Sequence, residues 1–211
     1  LILVDGAKSQ GIDSLLKDLK TRVALKGSVS KAHGKLAWFT ANGVFDDWKA
    51  DDFDSIEDGF VTKTGIFSAD GVDPASQLLA ASLPDGLSGN FADFGAGWGY
   101  LTRRLFDYPG IEHIDCIEAD SAAIDCARQN CGDGPAAFHW SDATTWRAQA
   151  ALDGIVMNPP FHHGRAADPA IGQAFIASAA RNLAAHGRLY MVANRQLPYE
   201  AVLQSCFADV K

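Results

Sequence analysis

The sequence predicts an α/β fold in which a mostly parallel sheet is covered by helices on both faces. Beyond residue 85, short apolar segments of strand character alternate with longer amphipathic segments of helical character. The first of these strands ends in a glycine-rich turn that opens a helix. Such alternation is typical of parallel strands joined by crossover helices. Ligands of these sheets bind at the carboxyl ends of the strands, near the switch in strand order.

Composition narrows the class of protein further. The chain has 211 residues, of which 47% are hydrophobic and 21% charged, so it can bury a core and is not disordered. No apolar run approaches the roughly 20 residues that a membrane-spanning helix needs. The four cysteines include no CxxC pair, so neither a zinc site nor a disulfide framework is indicated. We therefore expect a reduced, cytoplasmic setting.

The net charge of −8 argues against a protein that coats nucleic acid non-specifically. The charge is uneven, because residues 1–50 hold eight Lys/Arg against five Asp/Glu, whereas residues 51–211 hold ten against twenty-one. The basic residues within 8–35 form either a solvated helix face or a local phosphate-contacting patch. They are Lys8, Lys17, Lys20, Arg22, Lys26, Lys31 and Lys35.

The first 50 residues are predicted to belong to a domain separate from the rest of the chain. An apolar strand over 1–4, an amphipathic helix over 13–25 and a strand over 35–41 are predicted. The segment 46–58 is acidic and aperiodic, so we place a linker at 51–59 and the main domain at 60–211. Because the chain opens on an apolar strand without a methionine, we expect it to be a fragment.

The elements after the linker justify the parallel sheet one by one. A short strand and turn occupy 60–67, and a helix over 74–83 has Ala75, Leu78, Leu79 and Leu83 on its apolar face. Strands are then predicted at 91–94, 114–118, 137–140, 155–158 and 188–193. Helices are predicted at 100–106, 122–130, 171–184 and 200–206.

The turn at 93–99 (DFGAGWG) is the first candidate binding motif. Its glycines let a ligand approach the backbone closely, and the following helix offers unpaired N–H groups. A dinucleotide fingerprint would place a glycine at 100, where this chain has Tyr100. The pattern resembles instead the first motif of S-adenosylmethionine-dependent methyltransferases, in which the acidic residue lies near the cofactor's amino-acid end. The predicted loop residues are Asp93, Gly95, Ala96, Gly97 and Gly99.

Two further carboxylates follow strands of the same sheet. Glu118 ends the second strand, about twenty residues past the glycine loop, where an acidic side chain accepts hydrogen bonds from ribose hydroxyls. Its neighbour Ala119 is included in the predicted cofactor site. Asp142 follows the third strand, at the position where the resemblance implies a contact to the adenine amino group. An ordinary strand-terminal carboxylate remains the alternative for both acids.

The tetrapeptide after the fourth strand, Asn158-Pro159-Pro160-Phe161, indicates the chemistry. The two prolines fix the backbone and leave carbonyls as acceptors. The Asn158 side-chain oxygen and the Pro159 carbonyl can both accept from one exocyclic amine, which aims its lone pair at an electrophile. Phe161 offers a face on which a planar base can stack. Orientation carries much of the rate, and no strong general base is required; a strand followed by a rigid turn is the alternative.

With His162-His163-Gly164 after it, this motif resembles the ribosomal RNA small subunit methyltransferase C type of guanine-N2 methyltransferases. The segment 65–79 (GIFSADGVDPASQLL) is similar to the stretch before the glycine loop of that family. Val192-Ala193-Asn194, after the fifth strand, also resembles the family's sequence. The resemblance covers about residues 60–207. It implies a Rossmann-like methyltransferase fold and a cofactor pocket lined also by Phe67, Asp73 and Gln77.

The same resemblance concerns the ends of the chain. In the family, a degenerate methyltransferase-like domain that helps in RNA binding precedes the catalytic domain, and residues 1–50 look like its carboxyl end. The family closes its sheet with a strand hairpin after the last helix, so we expect the last strands to be missing. Trp98 and Tyr100 are bulkier than the residues usual in the glycine loop.

The sequence therefore predicts an S-adenosyl-L-methionine-dependent enzyme that methylates the exocyclic N2 of a guanine in small-subunit ribosomal RNA. It predicts ribosomal RNA or the small subunit as partner, a monomer, and no metal, since the adjacent His162 and His163 would point apart. Methylation of another amine or amide (large-subunit guanine, release-factor glutamine or DNA adenine) is one alternative. A non-catalytic RNA-binding module is the other.

Overall fold

The computed structural model describes residues 1–41, 43–49, 52–160, 162–163, 166–167 and 169–211. The chain divides into two compact units, Leu1–Ala50 and Asp51–Lys211. Each unit has its own buried apolar cluster, so each can be described by itself. Within the described residues, no helix has the length and apolar character needed to cross a membrane.

The first unit is a three-stranded antiparallel sheet covered by one helix. The chain order is β1 (Ile2–Ala7), α1 (Ile12–Arg22), β2 (Gly27–Lys31) and β3 (Gly34–Phe39), and β3 lies in the middle of the sheet. Ile12, Leu16 and Leu19 turn one face of α1 into the core against Phe39. The predicted helix and two strands are confirmed, whereas β2 was not predicted because its sequence, GSVSK, is polar and mostly exposed.

The second unit begins with a short hairpin of β4 (Asp54–Ser55) and β5 (Val61–Thr62). The segment 51–59, expected as a linker, therefore contains a strand that pairs within the second unit. Phe53 and Ile56 pack beside Phe60 in a buried cluster of this unit, which gives the segment a place in the core. The next element is α2 (Pro74–Ser82), which starts at the predicted residue.

After α2 the chain order is β6 (Ser88–Phe94), α3 (Tyr100–Leu105), β7 (Gly110–Glu118), α4 (Ser121–Cys131), β8 (Ala136–Trp140), β9 (Leu152–Met157), β10 (His162–His163), β11 (Ala166–Ala167), α5 (Pro169–Asn182), β12 (Leu183–Met191) and α6 (Glu200–Cys206). The main sheet has five parallel strands, as the sequence predicts, in the order β12-β9-β6-β7-β8. The strands β10 and β11 form a separate antiparallel pair.

Helices pack on both faces of this sheet. Phe175 and Ile176 of α5 cover the face that carries Phe94 and Met157. On the other face, residues of α2 and α3 pack around Phe91. The central strand β6 thus has α5 on one face and α3 on the other. From β6 the chain continues to β7 and β8 on one side of the sheet and then returns to β9 and β12 on the other side. The switch in strand order lies at the carboxyl end of β6, where the sequence places the glycine loop.

The buried face of α2 differs from the predicted one. Leu79 and Leu83 are buried as expected, but Leu78 is 63% exposed. Ser76 is buried in its place, at 8% exposure. Counting apolar residues assigned Leu78 to the core, whereas the helix is rotated so that a hydroxyl group faces inward. This rotation brings Ser76 to the site described below.

Candidate active site

The strand register brings the two sequence motifs together. Phe94 of β6 pairs with Met157 of β9 and, on its other side, with Ile117 of β7. The residues at the carboxyl ends of these three strands therefore lie side by side at the same edge of the sheet. They are Gly95 of the glycine loop, Asn158 of the tetrapeptide and Glu118, the last residue of β7.

The glycine loop is held by the end of β7. The backbone N–H groups of Gly95 and Ala96 both donate to the Ile117 carbonyl, at 2.9 and 3.0 Å. The N–H of Gly97 donates to Glu118 Oε2 at 2.8 Å. Gly97 has a φ of 56° and a Cβ there would meet nothing within 4 Å, so this residue leaves open space on the pocket side.

Gly99 has a different task in the same loop. Its φ is 94°, and a Cβ would lie 2.9 Å from Cys131 Sγ and 3.3 Å from the Ala127 Cβ of α4. The absence of a side chain therefore lets α3 start directly against α4. The loop thus needs glycine at one position for packing and at another for open space.

Glu118 is bonded to backbone on both sides. Its Oε1 accepts from the N–H of Asp120 at 2.8 Å, while its Oε2 holds Gly97. A carboxylate offers about four acceptor positions, so two remain for hydroxyl donors. The next residue, Ala119, accepts through its carbonyl from the indole N–H of Trp140 at 2.9 Å. Trp140 is 67% exposed, which makes it an aromatic surface at this edge that sequence analysis did not single out.

Asp142 and Asp93 lie apart from the pocket. Asp142 is exposed, and its Oδ1 accepts from the N–H and the hydroxyl of Thr144, a local turn. Asp93 is fully buried, and its Oδ2 accepts from the backbone N–H and the hydroxyl of Thr102, at 2.9 and 2.8 Å. Asp93 thus ties the end of β6 to the first turn of α3, beneath the glycine loop.

The burial of Asp93 changes its acidity. Loss of solvation raises the pKa of this carboxyl to about 7, although the two Thr102 hydrogen bonds act in the opposite direction. Its second oxygen, Oδ1, is buried without a hydrogen-bond partner. The carboxyl group is therefore protonated in a large fraction of molecules near neutral pH, and it serves the loop from below.

Asn158 is held by the start of α2. Its Nδ2 donates to Asp73 Oδ2 at 2.9 Å and to Ser76 Oγ at 3.0 Å. Asp73 is also the N-cap of α2, because the same Oδ2 accepts from the Ser76 backbone N–H at 2.8 Å. The amide nitrogen uses both its hydrogens in these bonds, which leaves Oδ1 as the acceptor group of Asn158.

Trp98 and Tyr100, the two bulky residues of the loop, anchor the segment that precedes α2. The ring of Trp98 packs 5.0 Å from that of Phe60, and Tyr100 packs 5.9 Å from Phe60. The indole N–H of Trp98 donates to the Ser68 carbonyl at 3.3 Å. The adjacent Phe67 is 64% exposed and borders the pocket. The unusual size of these loop residues is therefore used to fix a wall of the site.

One pocket brings together six of the predicted residues. The predicted residues that line it are Phe67, Asp73, Gly95, Ala96, Gly97 and Asn158. Residues that sequence analysis did not place there are Ser68, Ser76, Trp98, Tyr100 and Leu101. The predicted residues that do not line it are Gln77, Asp93, Gly99, Glu118, Ala119, Asp142, Pro159 and Pro160. Phe161, the predicted stacking residue, lies outside the described residues.

Ser76 lies in the pocket, where Gln77 was predicted. Gln77 is exposed on α2, whereas the buried Ser76 one residue earlier contacts Asn158. The signal that could have identified Ser76 is its place three residues after an N-capping aspartate, where its backbone N–H is tied to that cap. Among the residues that the structure describes, no cluster of three or more His, Cys, Asp or Glu could hold a metal ion.

A parallel sheet with this strand order, a glycine loop at the switch point and an Asn-Pro-Pro turn beside it define a Rossmann-like methyltransferase fold. The chain belongs to the methyltransferase small domain family, whose model matches residues 57–211.

Comparison with curated proteins and solved structures agrees with this assignment. The chain is 35% identical over 147 residues to ribosomal RNA small subunit methyltransferase C of Shewanella pealeana, covering 69% of this chain and 43% of that protein. It is 30% identical over 219 residues to the protein of the same name from Shewanella oneidensis, covering 99% of this chain and 64% of that protein. The chain thus spans less than two thirds of the length of these relatives.

The structural comparison extends over almost the whole chain. The chain is similar to the T. thermophilus 16S rRNA N2 methyltransferase RsmC, solved in complex with AdoMet and guanosine. The TM-score is 0.74 at 27% sequence identity, and the match covers 97% of this chain and 59% of the other.

Proposed function

We propose that the protein is an S-adenosyl-L-methionine-dependent methyltransferase that methylates the exocyclic N2 amine of a guanine in small-subunit (16S) ribosomal RNA. The observation that carries this proposal is the orientation of the Asn158 amide beside the glycine loop. Its Nδ2 is bound to Asp73 and Ser76, so Oδ1 is the group that can accept from an amine. An acceptor in a pocket bordered by Gly95 and Gly97 suits transfer of a group to nitrogen.

The residues at this edge fit the cofactor. Gly97 leaves room for a ligand against the backbone, because a Cβ there would stand in open space at the pocket wall. Glu118 has acceptor capacity left for the ribose hydroxyls, and its bond to the Gly97 N–H couples that contact to the loop. Asp93 would act from beneath, by fixing the loop through Thr102 rather than by touching the cofactor.

The chain's own residues would position the amine. The bound sulfonium supplies an electrophilic methyl group. Asn158 Oδ1 and the Pro159 carbonyl would accept from the two hydrogens of the amine, and this would withdraw the nitrogen lone pair from conjugation with the ring and direct it at the methyl group. The nitrogen would lose its proton to solvent only after the new bond to carbon has formed, so the site needs no strong base. Orientation and fixed dipoles account for the rate.

The substrate class is supported by the relatives. Both Shewanella proteins carry the name of a ribosomal RNA small subunit methyltransferase, and the T. thermophilus structure contains guanosine. An RNA substrate also suits the first unit, where Lys8, Lys17, Lys20 and Lys31 are exposed. We propose in addition that the protein works as a monomer in the cytoplasm, where this substrate is found.

The proposal is tested with tritiated S-adenosylmethionine and full-length protein. Unmethylated small subunits, large subunits and deproteinised ribosomal RNA are offered separately, and the labelled nucleosides are identified. We expect label in N2-methylguanosine from the small-subunit material, and the Asn158→Ala variant is the matched control without an acceptor. Label in the large subunit alone would show that the substrate is large-subunit rather than small-subunit RNA. No label in any RNA, with the cofactor still bound, would move the function to a protein amide or to DNA.

A further inference from the structure

We infer that Asp73 and Ser76 are positioning residues, which hold the amide of Asn158 in the one orientation that can accept hydrogen bonds from an amine. The inference deepens the proposed function and rests on it for the consequence in catalysis. The geometry itself rests on contacts between α2 and the end of β9. Neither residue needs to touch the substrate for this role.

The chemistry of the acceptors fixes the orientation. An ionised carboxylate has no hydrogen to donate, so only the nitrogen of the Asn158 amide can face Asp73. If the amide were turned over, Oδ1 would lie against the carboxylate and Nδ2 would face the substrate. Two donor groups, the amide and the amine, would then oppose each other. The 2.9 Å hydrogen bond from Asn158 Nδ2 to Asp73 Oδ2 therefore selects the amide orientation in which Oδ1 can accept from the amine.

The two acceptors act on the two hydrogens of one nitrogen. Asp73 Oδ2 takes one at 2.9 Å and Ser76 Oγ takes the other at 3.0 Å. Two acceptors on different atoms fix the plane of the amide, whereas one alone would allow it to swing. Donation from both N–H groups also polarises the amide and shifts electron density from its nitrogen to its carbonyl oxygen, which makes that oxygen a better acceptor.

The start of α2 holds these acceptors in place. Asp73 Oδ2 caps the helix through the Ser76 N–H, and Pro74 occupies the first turn. Ser76 is buried, so its hydroxyl has little access to water as an alternative partner. One carboxylate oxygen thus caps the start of the helix and orients Asn158, so the position of the helix determines the position of the amide.

Two substitutions separate these tasks. Asp73→Ser keeps a good N-cap but removes the carboxylate that reaches Asn158. Ser76→Ala removes the second acceptor and leaves the cap on its backbone N–H. The matched control is Ser82→Ala, because Ser82 lies on the same helix and its hydroxyl bonds only the Leu78 carbonyl among the described residues.

The decisive measurement is the rate of single-turnover methylation of small-subunit RNA, made in the wild-type and in the Asn158→Ala background. We expect Asp73→Ser to lower the rate about 10- to 100-fold and Ser76→Ala about 5- to 10-fold, at similar RNA affinity. Neither change should lower the rate further when Asn158 is already alanine, since both act through that residue. Ser82→Ala should leave the rate unchanged.

Binding of S-adenosylhomocysteine distinguishes the positioning role of Asp73 from direct contact with the cofactor. If Asp73 served mainly as a cofactor ligand, Asp73→Ser would weaken this binding by the same factor as the rate. Its effect would also persist in the Asn158→Ala background. Either result would overturn the positioning role.

A measurement without catalysis keeps this inference apart from the proposed function. In the NMR spectrum, the side-chain amide signals of Asn158 are those lost in Asn158→Ala. We expect their hydrogen exchange to be slow in the wild type and in Ser82→Ala, and fast in Asp73→Ser. If the wild type methylates no RNA but shows this pattern, the proposed substrate fails and the positioning of the amide stands. Equal protection in Asp73→Ser overturns the positioning even where RNA is methylated.

Discussion

Glu118 and Gly97 are joined by a 2.8 Å hydrogen bond that ties the end of β7 to the glycine loop beside it. The carboxylate thereby connects two features that the sequence separates by about twenty residues, the strand-terminal acid and the loop. Since Glu118 also bonds Asp120 at the start of α4, its side chain is fixed before any ligand arrives.

We therefore expect Glu118→Ala to weaken binding of S-adenosylhomocysteine about 10- to 100-fold, the cost of losing charge-assisted hydrogen bonds at an ordered site. Titration calorimetry measures the change. Glu112→Ala is the control, because Glu112 is an exposed acid at the opposite end of the same strand. Equal affinity in Glu118→Ala and wild type would show that this carboxylate holds the loop without serving the ligand.

Asp93 leads to a prediction on pH. Because burial raises the pKa of its carboxyl from 3.8 to about 7, the folded state holds a proton that the unfolded state has lost. The stabilising contribution is complete below the unfolded pKa and is lost as pH rises toward the folded one. We expect the free energy of unfolding to fall by about 1 kcal/mol per pH unit from this group between pH 4 and 7, and to level off above.

Asp93→Asn isolates that contribution, since its amide cannot ionise and still offers an oxygen to Thr102. In urea unfolding, the stability of Asp93→Asn relative to wild type should increase from pH 5 to pH 7 and stay constant from pH 8 to pH 9. The exposed Asp70 supplies the control variant, Asp70→Asn. A difference between Asp93→Asn and wild type that does not depend on pH would contradict a raised pKa at Asp93.

The glycine loop allows binding and folding to be separated. We expect Gly99→Ala to destabilise the fold by about 2 kcal/mol or more, because its Cβ would lie 2.9 Å from Cys131 Sγ at a φ of 94°. Gly97→Ala should cost only about 1 kcal/mol, since its Cβ meets nothing within 4 Å.

For ligand binding we expect the opposite order, with the larger loss in Gly97→Ala. The methyl group that Gly97→Ala introduces would occupy the space at the pocket wall. The affinity for S-adenosylhomocysteine should therefore fall at least about 10-fold in this variant. Thermal unfolding with and without ligand measures both quantities in one experiment. A Gly97→Ala variant that the ligand stabilises as strongly as wild type would show that the cofactor does not approach the loop at this residue.

Sequence reasoning reached the fold and the two motifs because both depend on local patterns. The apolar strands predict the sheet, and parallel strand ends predict that Gly95 and Asn158 meet. The side-chain roles depended on facts that a pattern does not carry. Ser76 was missed because the rotation of α2 is set by tertiary packing, which leaves Leu78 outside.

Asp93 shows the same limit in a strand. An acid before a glycine loop was expected near the ligand, yet its side chain turns toward Thr102 under α3. The alternation of side chains along β6 could have predicted this direction. Ala92 and Phe94 face α5, so Asp93 between them must face the opposite side of the sheet. The bulky Trp98 looked like a departure from the loop pattern, and only the contact to Ser68 reveals what it holds.

The division of the chain gives the last prediction, which concerns RNA. The second unit has its own core and the whole pocket, so removal of residues 1–50 should leave S-adenosylhomocysteine affinity within about twofold of wild type. The cut belongs before 51 rather than before 60, because β4 pairs with β5 and Phe53 packs in the core. The shortened chain should lose methylation of small-subunit RNA, since the second unit carries the acidic excess and repels phosphate.

A milder variant excludes a general loss of structure as the cause. In the first unit, Arg22 is paired with Asp18 and Asp47, and Lys35 with Asp13, whereas Lys17 and Lys20 are exposed on α1. Lys17→Glu with Lys20→Glu should therefore keep the fold and the cofactor affinity. RNA methylation should decrease at least about 10-fold at 0.1 M salt, and the dependence of the rate on salt should become weaker. Full activity in both the shortened chain and the double variant would place the RNA contacts in the second unit, despite its negative charge.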